Sequence, residues 1–87
     1  MNAEAFENAL RDDGFEVQSR SLAADHATQP HAHDFSVRAL VTAGDITLTT
    51  RGIATRYGAG EVFTMAAGQE HCETVGTGGV SYLVGKR

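Results

Sequence analysis

His31 and His33 stand one residue apart at the head of an alternating run, Phe35, Val37, Ala39 and Val41, that stops at Gly44. Side chains two apart on a strand point to the same face. Both imidazoles therefore share a face with Phe35, Val37 and Val41. A third histidine, His71, sits in a later strand-like run over residues 70–75. Three imidazoles meeting on the inner face of a small sheet point to a metal site, since neutral imidazole suits zinc, iron, nickel and copper. The competing reading makes them surface histidines, or hydrogen-bonded core histidines, of a metal-free barrel.

The rest of the chain fits a small sheet protein. A helix is predicted from residue 2 or 3 to 12, with Phe6, Ala9 and Leu10, then Phe15, as its apolar stripe and Gly14 as its stop. Residues 15–22 alternate, and residues 23–29 form a second, less regular extended segment that Pro30 breaks. Strands follow over 35–42, 46–50, 53–57, 61–65, 70–75 and 80–84. Turns are expected at 43–45, 58–60 and 76–79, a bend at 66–68, and a hairpin turn at Arg51-Gly52. Lys86 and Arg87 read as a solvated end. About eight short strands, with ten glycines against one proline, favour a sandwich or barrel. At 87 residues one domain is expected over 1–87, with residues 1–14 the helical part and 15–87 the barrel.

Composition narrows the partners. A net charge of −4 without a basic cluster argues against nucleic acid. No apolar run reaches the length of a membrane span. Residues 1–10 carry two acids and no basic residue, unlike a secretory signal. One cysteine, Cys72, forms no internal disulfide, and a reduced, cytoplasmic setting follows as the default. A thin core and open sheet edges favour a homodimer, with residues 15–29 covering an edge across a two-fold axis.

Other residues near the histidines divide by parity. Glu73 lies two residues after His71 and shares its face. It is a candidate fourth ligand, a group that orients a ligand or a general acid/base; a solvated strand-end glutamate is the alternative. Asp34 has the wrong parity and faces away. Cys72 points to the opposite face as a buried structural thiol, with thiolate ligation as the alternative where the strand is irregular. His26 is a loop histidine, with the barrel mouth as its other possible place. Phe35, Phe63, Met65 and Tyr82 are core candidates, of which one or two line a small apolar pocket. Arg38, opposite in parity to Val37, faces outward in an ion pair. The glycine clusters precede no helix and so hold no phosphate.

In these motifs the chain resembles a cupin, a small jelly-roll barrel (double-stranded β-helix) with two signatures. The first runs His-x-His, three residues, Glu, six residues, Gly. His31, His33 and Gly44 match it, while Val37 fills the Glu position. The second runs Gly, five residues, Pro, x, Gly, two residues, His, three residues, Asn. Gly60, Gly68 and His71 match, with Ala66 and Val75 in the Pro and Asn positions. The resemblance implies an all-β cupin barrel behind a short N-terminal helix. It also implies His31, His33 and His71 as ligands of a divalent ion: iron, manganese, nickel or zinc. Three neutral ligands keep the ion's full charge and leave coordination positions open.

Two functions follow. One is a metal-dependent enzyme acting on a small organic molecule by dioxygenase, isomerase or lyase chemistry, with Glu73 as acid/base. The other is a non-catalytic small-molecule-binding or sensor cupin whose metal is structural or absent.

Overall fold

The structure is a computed structural model and describes residues 2–87. Met1, with which the expected helical part begins, lies outside the described residues. Helix α1 spans Ala3–Asp12; strands follow as β1 (Glu16–Leu22), β2 (Val37–Thr50), β3 (Ile53–Gly58), β4 (Val62–Met65) and β5 (Cys72–Lys86). The all-β architecture with one N-terminal helix agrees with the sequence reading.

The Asn2 side chain caps α1 by accepting from the amides of Glu4 (2.8 Å) and Ala5 (3.2 Å), two of the donors a helix start leaves open. Gly14, at φ +82°, turns the chain back. Phe6 and Leu10 are buried with Phe15, Leu40 and Leu83, forming a cluster outside the sheet; Ala9, the third member of the expected stripe, is exposed.

All strand pairs are antiparallel, in the order β1-β5-β2-β3, with β4 beside β2. The first half of β2 lies between β4 and the end of β5, its second half between β3 and the start of β5. Two long strands thus serve two half-sheets. The Arg51-Gly52 turn joins Thr50 to its partner Ile53. Both turn residues have positive φ, the backbone that a tight hairpin requires.

Two expected turns are not turns. Residues 43–45 lie within β2 and residues 76–79 within β5. Between the pairs Gly44↔Val80 and Ile46↔Val75, β2 supplies one residue and β5 four. The surplus is a bulge, and bulges bend and twist a strand without ending it. Glycine marks such corners as readily as turns. The eight short strands are therefore five, two of them long.

Residues 23–29 form no regular strand either. They run beside β5 through one isolated bridge, Ala27↔Thr74, supported by Thr28 N–H to the Glu73 carbonyl (3.0 Å) and Val75 N–H to the His26 carbonyl (2.8 Å). The inner face holds the second apolar cluster, which includes Val37, Val41, Ile46, Phe63, Val75 and Val84. The histidines lie on this face.

Candidate metal centre

His31 and His71 are directly paired. Each donates its amide to the other's carbonyl, at 2.8 and 2.9 Å, in an isolated antiparallel bridge. Residues opposite each other across such a pair share a face. His33 follows at the same parity, and its carbonyl accepts from the Gly68 amide at 2.7 Å. The ring centroids lie 4.4 Å (His31–His71), 5.1 Å (His31–His33) and 5.2 Å (His33–His71) apart. One ligand atom from each lies within 4.8 Å of the others.

Hydrogen bonds fix which nitrogen is free. His31 Nδ1 lies 2.8 Å from the Gln29 carbonyl and His71 Nδ1 3.1 Å from that of Gln69. A carbonyl only accepts, so Nδ1 carries the proton and Nε2 the lone pair. This is the arrangement of metal-binding histidines, whose second nitrogen donates to a backbone carbonyl. His71 Nε2 is buried and has no partner. A neutral three-nitrogen donor set with an orphaned buried acceptor suits a divalent transition metal ion.

His33 stacks on Phe35 with centroids 4.7 Å apart and planes 11° from parallel. Burial holds its pKa below the ordinary imidazole value, aided by His71 and His31, with Lys86 adding to them and Glu73 opposing. A base whose pKa falls on folding contributes stability that is present above its unfolded pKa and lost as pH drops through the folded value. Metal-free protein is therefore expected to show a falling urea midpoint as pH decreases from about 7 through 6, less steeply in His33→Gln. Equal slopes in the two proteins would count against this environment.

The cluster borders a pocket of about 210 Å³, the volume of about seven waters. Phe35, Val37, Phe63, Met65 and Val84 supply its apolar lining, and His26 reaches its edge. All four expected core residues, Phe35, Phe63, Met65 and Tyr82, border it. Glu73 lines it too, on the inner face across from Leu48. Its carboxylate is not part of the group of mutually close ligand atoms. Tyr82 completes one wall; burial raises its hydroxyl's pKa, with Glu73 adding to this and Arg20 opposing.

Asp34 is exposed, and Cys72 is half-buried and free of any disulfide. Arg38 faces outward as expected, paired with Asp13 at 3.0 Å and placed over the Phe15 ring. Arg20 and Lys86 were missed: both line the pocket, and the half-buried Lys86 corrects the reading of a solvated end. Parity held the signal, since Lys86 continues the series Val80, Tyr82, Val84.

An antiparallel jelly-roll sheet with clustered histidines on its inner face defines a cupin domain. More narrowly, residues 14–84 match the AraC-like ligand binding domain, and the chain belongs to that family. The fold is similar to a Rhizobium leguminosarum bv. viciae 3841 protein of unknown function (TM-score 0.77, 15% identity, covering 83% of this chain and 68% of that one). It is also similar to a cupin-2 domain protein from Shewanella frigidimarina NCIMB 400 (TM-score 0.69, 18% identity, 84% and 71%). A third similar structure is the polyketide cyclase RemF from Streptomyces resistomycificus (TM-score 0.69, 22% identity, 83% and 52%), of which the chain spans about half. No curated protein matches the chain in sequence. Among the described residues, no helix is long and apolar enough to cross a membrane.

Proposed function

We propose that the domain holds one divalent transition metal ion on the Nε2 atoms of His31 and His71 and a ring nitrogen of His33, and acts on a small organic molecule in the adjoining pocket. The observation that carries this reading is the buried, partnerless Nε2 of His71 beside two further imidazoles. An unpaired buried acceptor costs about 1–3 kcal/mol, and a cation is the partner that removes the cost. When bound, the ion supplies Lewis acidity and open coordination positions, the needs of dioxygenase, isomerase or lyase chemistry. Iron, manganese, nickel and zinc all suit the donor set.

The chain's own groups have separate duties in this scheme. Phe35 holds the His33 ring by stacking. Phe63, Met65 and Val84 keep water from the bound molecule. Glu73, in the pocket wall but outside the ligand group, accepts or returns a proton.

A second reading, a ligand-binding module without catalysis, draws on the family's description as a ligand binding domain. It uses the same pocket and the same residues, without proton transfer at Glu73.

Elemental analysis of untagged protein tests the metal. Near-stoichiometric iron, manganese, nickel or zinc is expected in the wild type, falling to background in His31→Ala and His33→Ala. Equal metal content in all three proteins would reject the centre. Metal-free wild type after reconstitution, still binding a metabolite, would favour the second reading.

A further inference from the structure

The pocket wall built by β1 and β5 carries two cations that no carboxylate answers. Arg20 and Tyr82 are cross-strand partners, and Lys86 follows at the same parity on β5. All three line the pocket. Lys86 Nζ lies 5.1 Å from the Phe35 ring centroid, and Phe35 stacks on His33. The ammonium is thus one ring removed from the histidine cluster. Among the described residues, the arginine ion pairs are Arg11–Glu7, Arg38–Asp13 and Arg56–Asp45; Arg20 and Lys86 have none. Glu73 is the single acid in the pocket wall.

An acidic chain, of net charge −4, therefore presents a pocket whose fixed charges are two positive and one negative. Cations spread over a surface for solubility need no inner-face position. These two line the inner-face pocket, Arg20 opposite Tyr82 on β1 and Lys86 further along the Tyr82 face of β5. A guanidinium fork matches two carboxylate oxygens, and an ammonium adds a point charge from the side.

We infer that the pocket takes a small organic carboxylate, its carboxylate held by Arg20 and Lys86 and its apolar part against Leu22, Phe63 and Val84. The inference rests on the reading of the pocket as a small-molecule site but does not need the metal ion. The pocket volume of about 210 Å³ limits the ligand to a compact molecule, about the size of one ring with its acid group. Arg20 is exposed, so the charge preference weakens with added salt.

The test titrates the full chain, metal-loaded and metal-stripped, with benzoate and with benzamide, which has the same ring and no charge. The readout is the amide NMR shifts of Arg20, Tyr82 and Lys86. Benzoate is expected to bind about tenfold or more tightly than benzamide in both forms, as a charge-assisted hydrogen bond would give. The double variant R20Q/K86Q is expected to bring that ratio near one, and an amide spectrum with wild-type dispersion shows that the variant is folded. A preference seen only in loaded protein and kept in R20Q/K86Q would place the carboxylate on the ion; it overturns this inference and leaves the metal reading standing. Preference in stripped protein that R20Q/K86Q removes supports the inference even if elemental analysis rejects the metal. Tighter binding of phenylphosphonate than of benzoate overturns the carboxylate class, and no shift with any probe overturns the site altogether.

Discussion

His71→Leu is expected to stabilise the metal-free protein while removing its response to metal. In the wild type without metal, the buried Nε2 has no partner, at a cost of about 1–3 kcal/mol. Leucine removes that atom and fills a site only 2% exposed. The bond from Nδ1 to the Gln69 carbonyl is lost, but Gln69 is only half-buried and water can replace it. The net gain is about 1 kcal/mol, or a melting temperature ~4–8 °C higher in a domain of this size. Metal at a hundredfold excess over Kd stabilises the wild type by about 2.7 kcal/mol, and the variant is expected to gain nothing. Scanning calorimetry of both proteins, with chelator and with metal, reads the two effects together. A variant that melts lower without metal and keeps the wild-type rise on loading would reject both the orphaned atom and its role as a ligand.

The second large effect concerns packing. Gly44→Ala is expected to destabilise the fold by about 3 kcal/mol or more, through two additive causes. Gly44 has φ +73°, a conformation in which a side chain costs about 1–2 kcal/mol. An added Cβ would also fall on the Gly79 carbonyl oxygen, a backbone atom that cannot swing aside. Gly68→Ala is the control. Its φ is +79°, yet nothing lies within 4 Å of the added atom, so only the conformational cost of about 1 kcal/mol remains. Urea unfolding of the two variants should separate them by about 2 kcal/mol. Equal losses would mean that β2 and β5 do not press together at that corner.

The same corner shows why the strand count was misread from sequence. Ala43-Gly44-Asp45 and Gly76-Thr77-Gly78-Gly79 have the composition of turns, and local composition does not show what lies opposite. The two segments face one another, so each bends its strand with the partner still attached. The histidines were legible because their signal is local: parity placed His31 and His33 together, and the spacing to Gly68 and His71 brought in the third. Glu73 was legible on the same ground, as a residue two places from His71. Arg20 and Lys86 were not, because a cation near a strand end ordinarily means solvent. Here the inner face opens to solvent at one side, so that charged tips there still border a pocket. The half-burial of Lys86 and its place over Phe35 come from register, which the chain end alone does not reveal.

The apolar residues divide between two clusters on opposite faces of one sheet. Phe6, Leu10, Phe15, Leu40 and Leu83 fasten the helix to the outside, and none of them lines the pocket. Changes on the two sides share few neighbours, and such changes combine additively. A change at the helix seam therefore leaves the pocket lining alone, whereas a change at Val37, Phe63, Met65 or Val84 alters the pocket and the inner core together. The helix clasps an outer wall that owes nothing to the ligand, while the inner wall must answer to the ligand and to the fold at once.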